Sequence, residues 1–396
     1  MIAIHNQPLL IATQLRARAA QEKIRMQRAG LLPTIKFNTT GVLVADPGTA
    51  TASGALTTSS LSDRFAYGGT LVQLVTDFGR TSAMAGSARA SALAESDRVT
   101  LTRARIRLNV RQAYYQVLGA EAVLDAARQA QTNRHLISSQ VGALAQNQLR
   151  STLDVNFAYV LESQADLAVV RAESAVAQQR AHLATTLGES QPITQPLVKA
   201  DTPTPLPADP ALLLREAVRA RADLNAARAD EQAANRFASA EKRLSLPSLD
   251  VLGAAGQIPF HDRTLRNDYA AAGFNLEIPL FNGGLFAARR REAALNASAA
   301  ARDVQQRTLE VNEDVRTSWY QASEAYRSLP VTQRLVAEAR EALTLAQARY
   351  DSGLGSIVEL NEAQLNETSA EISAADANYT YLSRRAALEY AAGLLN

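Results

Sequence analysis

The sequence contains no cysteine, which excludes disulfides, thiolate metal sites and a cysteine nucleophile. Aromatic residues are scarce, at 5% of a chain that is 47% hydrophobic. Alanine supplies much of that apolar share, a balance suited to thin, closely packed helices more than to one thick core. No run of about 18 apolar residues occurs, so no transmembrane helix is expected. Neither sign of charge dominates: 41 Lys and Arg stand against 39 Asp and Glu, for a net charge of +2, and no pull toward nucleic acid follows. Arg103, Arg105, Arg107 and Arg111 form one basic cluster and Arg289, Arg290 and Arg291 another. Neither has an aromatic base-stacking platform beside it, and both read as solvated helix faces. His5, His135, His182 and His261 are scattered without ligand spacing, and Gly283-Gly284 lacks the Gly-Lys-Ser/Thr that completes a phosphate loop. No enzyme, metal site or cofactor is expected. The opening residues run directly into a helical pattern, without the charged, apolar and small segments of a signal peptide.

What the 396 residues do contain is a module stated twice. The first repeat spans 1–188, with a helix over 2–30, strands at about 34–44 and 64–76, a long helix over 80–146 and a returning helix over 152–188. A linker over 189–210 follows, holding six of the 13 prolines between Pro192 and Pro210; it should hug the surface with no core of its own. The second repeat spans 211–396, with a helix over 211–245, strands at about 248–258 and 268–280, a long helix over 284–351 and a returning helix over 356–393. Leu246-Pro247 answers Leu32-Pro33, and Asn282-Gly283-Gly284 answers Asp77-Phe78-Gly79. Beyond that point the halves align without a gap at an offset of 205, so that Val110, Arg111, Tyr115 and Gln116 match Val315, Arg316, Tyr320 and Gln321. Before it the offset is 214. A unit of this length is a duplicated module, too long for a solenoid repeat.

Ile106, Val110, Ala113, Val117, Ala120, Leu124 and Ala127 step by alternating fours and threes, the heptad spacing of helices packed as a coiled coil. A helix of that length reaches roughly 100 Å at about 1.5 Å per residue. Pro330 should kink or break its counterpart in the second half. Trp319 and Tyr320 fall at helix-packing spacing.

Each long helix ends in a tip. In Arg349–Gln364, Gly353 and Gly355 permit a tight reversal. Ser356 then caps the returning helix, with Glu359 three residues on completing a capping box. Glu359 and Glu362 share a face of that helix. A weaker version of the turn lies 205 residues earlier, at Gln148, Leu149, Arg150, Ser151, Thr152, Leu153, Asp154 and Val155.

The strands alternate. In Tyr269–Leu280, Phe274, Leu276, Ile278 and Leu280 point one way, Asn275 and Glu277 the other. That length and alternation suit either a membrane barrel strand or a small soluble sheet packed on a helix. Four strands cannot close a barrel, since small barrels need about eight, whereas three copies supply twelve.

In order and duplication these features resemble the TolC family of outer-membrane channel proteins, across almost the whole chain. The most specific stretches are Tyr350–Gln364, Leu276–Leu285 and the two Leu-Pro pairs. The resemblance implies a mainly α fold with a small β part: a long coiled-coil α-helical barrel, plus four strands per chain in a 12-stranded trimeric transmembrane β-barrel. It implies a homotrimer in the outer membrane of a Gram-negative-type bacterium, in contact with outer-membrane lipid and with most of the chain in the periplasm. Members begin with a signal sequence, so the native start is expected upstream of Met1. Such channels dock an inner-membrane transporter through a periplasmic adaptor and serve as passive exit ducts. The cargo expected is small molecules or drugs, with type I protein secretion as the alternative; a soluble coiled-coil scaffold is the alternative of another class.

Family members close the tunnel with acidic side chains just after the second tip, where Glu359 and Glu362 stand here. Asp154 and Tyr350 match positions that some relatives use to tie neighbouring helices shut. The arginine those relatives place before the capping residue is Gly355 in this chain, and Arg150 on the other tip is the available substitute. The turns containing Gln148, Leu149, Ser151, Thr152, Gly353, Leu354, Gly355 and Ser356 match the adaptor-docking positions.

Overall fold

The computed structural model describes residues 2–43, 50–52, 58–60, 64–148, 150–199, 202–260 and 266–396. The elements run α1 (Ile2–Asn6), α2 (Pro8–Ala29), β1 (Thr34–Val42), β2 (Ala50–Ala52), β3 (Thr58–Ser60), β4 (Arg64–Thr76), α3 (Arg80–Gln146), α4 (Thr152–Leu187). They continue with α5 (Ala211–Ala220), α6 (Ala222–Lys242), β5 (Ser248–Phe260), β6 (Asp268–Glu277), α7 (Leu285–Asp351) and α8 (Ile357–Ala391). The molecule is mainly helical with a small antiparallel sheet. Both long helices, α3 and α7, contain 67 residues. The chain forms two compact units that cut across the sequence halves: residues 1–14, 97–225 and 306–396 in one, residues 15–96 and 226–305 in the other.

In the first unit, two helices expected to be continuous are broken. Pro8, which has no N–H to give, begins a new helix after Gln7. Arg221 is extended (φ −62°, ψ 124°) and separates α5 from α6. The 214-residue offset makes Gln7 and Arg221 equivalent, and they do equivalent work. Gln7 Nε2 donates to the carbonyls of Thr185 and Thr186 at 2.8 Å each; Arg221 Nη1 donates to the carbonyl of Ala391 at 3.4 Å. Thr186 and Ala391 are themselves matched at 205. Each break therefore brings a side-chain donor to the last carbonyls of a returning helix, which have no partner within it.

The linker carries no helix or strand among its described residues, and side chains of the long and returning helices satisfy carbonyls along it. Arg180 Nη1 donates to Ile193 (3.1 Å) and Thr194 (3.2 Å), Tyr114 to Val198, Tyr381 to Thr204, and Trp319 Nε1 to Pro207 at 3.1 Å. Arg385 also reaches the Thr204 hydroxyl. Tyr114 with Trp319, and Arg180 with Arg385, are matched pairs at 205, so the duplication grips the linker from both halves. A break at Pro330 does not occur: α7 is helical on both sides of it. Around it the Ser328 hydroxyl donates to the Ala325 carbonyl at 2.7 Å, and the Thr332 hydroxyl to Leu329 at 3.0 Å.

In the second unit the strands form one antiparallel sheet in the order β1-β4-β5-β6, with β2-β3 as a separate pair. Three ends differ from the expected ones. β1 stops at Val42, and Val44 lies outside the described residues. β5 runs on to Phe260. β6 ends at Glu277, because Pro279 offers the ladder no N–H; Ile278 and Leu280 thus lie beyond the strand. The register pairs Ile35 with Leu71, Phe37 with Gly69, Gln73 with Val251 and Val251 with Phe274. Alternation then puts Ile35, Phe37, Leu71, Val251 and Phe274 on one face, together with Thr39, Tyr67 and Gln73. Lys36, Asn38, Thr40, Thr70, Asp250 and Asn275 share the other face with Val72 and Leu252. In the same unit, Glu241 of α6, only 1% exposed, is held by Arg289 of α7 through a two-point contact (2.8 and 2.9 Å).

Candidate functional site

The two tips lie in the first unit and share one core. Ile137 and Val141 of α3, Ala158 of α4, Ala346 and Tyr350 of α7, and Ile357 and Leu360 of α8 pack together there. At the first tip, Gln148 takes a positive φ of 60° to turn the chain; Leu149 lies outside the described residues. Ser151 caps α4: its hydroxyl accepts from Asp154 N at 3.3 Å, and the Asp154 carboxylate accepts from Ser151 N at 3.4 Å. This is a complete capping box. Thr152 follows it, exposed, as the first residue of α4.

At the second tip, Leu354 N donates to Arg349 O (2.8 Å) and Gly353 N to Tyr350 O (3.0 Å), the two bonds of a Schellman turn. Gly353 supplies its left-handed residue, with φ 75°. Gly355 is needed for another reason: a Cβ there meets Tyr350 N at 3.1 Å and the Arg349 carbonyl carbon at 3.2 Å. Leu354, at the apex, is 76% exposed. Ser356 caps α8 by accepting from Glu359 N at 3.1 Å. The expected capping box is not closed, however. The Glu359 carboxylate pairs instead with Arg349 Nε at 3.0 Å, since its extra methylene carries it to a cation that attracts it more than a neutral N–H does. Glu362 is exposed and has no ionic or hydrogen-bonding partner among the described residues.

Arg150 and Tyr350 join the two tips. The guanidinium lies 4.3 Å from the centre of the Tyr350 ring, and its Nη2 donates to the Tyr350 carbonyl at 3.0 Å. The Tyr350 hydroxyl is buried without a partner. Burial pushes its pKa up, Arg150 opposes that, and Asp154 and Asp351 add to it.

Three polar residues in this bundle escaped the sequence reading. Arg134, 7% exposed, donates from Nη1 to Asn361 Oδ1 at 2.5 Å and from Nη2 to the Asn361 carbonyl at 3.4 Å. Burial lowers the pKa of its guanidinium. Gln364, one turn along α8, is 8% exposed and leaves its Oε1 unpartnered. The heptad step pointed to Arg134: continued past Ala127, it lands on Gln131, Arg134 and Ser138. Nearby on the surface, His135 Nδ1 meets Glu162 Oε1 at 2.6 Å, and contacts from His135 and Ser138 hold the Glu162 carboxyl below its ordinary range.

Duplicated helical hairpins, each preceded by a strand pair, define the fold of the outer-membrane channel proteins. The solved outer membrane protein VceC of Vibrio cholerae superposes with a TM-score of 0.85 at 19% identity, covering 99% of this chain and 94% of that one. The chain belongs to the outer membrane efflux protein family, which it matches over residues 2–189 and 213–394. Outer membrane protein OprJ of Pseudomonas aeruginosa is 25% identical over 397 residues, 95% of this chain and 79% of OprJ. Outer membrane protein TolC of Escherichia coli K12 is 25% identical over 214 residues, 50% of this chain and 42% of TolC. The matches thus span less than half the length of the TolC relatives. Among the described residues no helix is long and apolar enough to cross a membrane, which says nothing of strands.

Proposed function

We propose that this chain is the exit duct of a tripartite efflux pump, a passive channel for small molecules or drugs across periplasm and outer membrane. The observation that carries this reading is the sheet. One of its faces carries most of the large apolar side chains, with Ile35 and Phe37 each 73% exposed and Phe274 75% exposed. Its outer strands, β1 and β6, are each paired on one side only among the described residues. Open edges invite further strands, and an apolar face suits lipid; a soluble scaffold has no use for either. Three copies joined edge to edge give a closed twelve-stranded barrel, apolar outside and polar within. A trimer in detergent, of three 42.5 kDa chains, is the expected state. A monomer that stays soluble without detergent overturns the reading.

The tips are the gate and the docking point in this proposal. Glu362, free of partners, lines the constriction, and three copies form a carboxylate ring that favours cations. Glu359 is committed to Arg349 and serves to hold the second tip's shape. Arg150 on Tyr350 ties the first tip to the second within one chain, with Asp154 fixed in its cap. The turns at Gln148, Ser151 and Thr152, and at Gly353, Leu354, Gly355 and Ser356, receive a periplasmic adaptor, which brings the inner-membrane transporter; Leu149, outside the described residues, belongs to the same docking segment by sequence. Conductance in planar bilayers should rise when Glu362→Ala opens the ring, and less for Glu359→Ala. Unchanged conductance in both variants removes them as gate residues.

A further inference from the structure

The long helix α3 packs against its returning helix through heptad positions, and those positions turn polar one stretch below the tips. On α3 the step that buries Ala113, Val117, Leu124 and Ala127 passes through Gln131, Arg134 and Ser138 before apolar packing resumes at Val141. On α8 the same spacing from Ile357 gives Asn361, Gln364 and Thr368. Arg134, Ser138, Asn361 and Gln364 are 7%, 2%, 8% and 8% exposed, so the polar block lies inside the bundle. Arg134 meets Asn361 across the two helices, and among the described residues no carboxylate pairs with it. An amide oxygen returns only part of what a guanidinium loses on leaving water. The Gln364 Oε1 and the Tyr350 hydroxyl are further polar atoms buried without a partner in the same bundle. Polar residues at core heptad positions fix register at the expense of stability.

We propose that this polar block is a built-in weakness of the tip core, and that Arg134, buried without a counter-ion, keeps the hairpins loosely closed so that a docking partner can part them. The last clause rests on the reading of the tips as gate; the weakness of the core does not. Asn361→Asp supplies the missing counter-ion without changing size, and Arg134→Met removes the charge while keeping the bulk. Each should tighten the bundle.

The test is hydrogen exchange on the full chain in detergent, read at amides of residues 131–146 and 357–371. Exchange should slow roughly tenfold in Asn361→Asp and in Arg134→Met, as buried-charge changes of this kind can. In the double variant, where a buried carboxylate has lost its cation, exchange should be faster than in either single one. Exchange at or above the native rate in both single variants overturns the proposal. Bilayer conductance separates the two parts: slow exchange with reduced conductance supports both. Slow exchange with unchanged conductance keeps the weak core but overturns its link to opening, while the gate itself stands or falls with the Glu362→Ala conductance.

Discussion

Arg221 shows what a single side chain does when a duplicated position changes its chemistry. Gln7 serves the first returning helix with a neutral amide, whereas Arg221 serves the second with a charge that must itself be balanced. Asp223 does so at 2.6 Å and Asp314 at 2.9 Å. Arg221 and Asp223 are nearly buried, with side chains 8% and 11% exposed. Burial works against the Asp223 carboxylate, but the hydrogen bonds and charge of Arg221 outweigh it and hold its pKa below 3.8. A carboxyl lowered on folding adds stability that is complete above its unfolded value of about 3.9 and fades as pH falls through the native value. Arg221→Gln, the first repeat's own choice, keeps a donor for Ala391 but strands Asp223. Removing one partner of a buried pair costs about 3 kcal/mol, and that loss should appear in denaturant unfolding at pH 7. Because an unpaired buried carboxyl is easier to protonate, the gap between native and variant should shrink below pH about 4. A constant gap across that range means that the ion pair is not its source.

At the scale of elements, the linker is the part that lacks regular structure and is nonetheless fixed. Its carbonyls have no ladder or helix to join, and buried carbonyls need partners; Tyr114, Arg180, Trp319 and Tyr381 provide them. Trp319→Phe removes the donor to Pro207 and leaves the edge-to-face contact with Tyr320, whose centroid lies 5.3 Å away, largely available. One hydrogen bond is worth about 1 kcal/mol, so proteolytic nicking of the linker should speed up roughly fivefold while the melting temperature barely moves. Equal resistance to protease in both proteins removes Trp319 as a pin. The linker's lack of structure was legible from its prolines, and the fold class from the duplicated order of strands and helices, because periodicity and helix stops are local properties. The breaks at Gln7 and Arg221 were not legible, since their cause is a carbonyl about 170–180 residues away. Glu359 misled for the opposite reason: Ser-x-x-Glu is a good local rule, and Arg349 across the turn overrode it. Arg134 stands in plain heptad register, but a charged residue at a core position reads as the end of a core.

For the whole molecule, the proposed duct stands on which side of the sheet would face lipid. Neighbouring residues in one strand point to opposite faces, so a pair of adjacent substitutions tests the orientation with everything else held constant. Phe37 sits mid-strand on the apolar face, in the row Phe37–Gly69–Ala255–Ala270, and Asn38 sits on the polar face, in hydrogen-bond contact with the Thr70 hydroxyl at 3.3 Å. If three copies close a barrel with the apolar face outward, Phe37→Lys puts a charge into hydrocarbon, which costs about 2–4 kcal/mol near the bilayer midplane. Three such charges per assembly should sharply lower the yield of folded trimer in bilayers. Asn38→Lys puts the same charge into a water-filled lumen, where it should leave assembly intact and shift ion selectivity toward anions. Equal damage from both variants, or more from Asn38→Lys, means that the sheet does not meet lipid through the Phe37 face, and the proposed duct loses its wall.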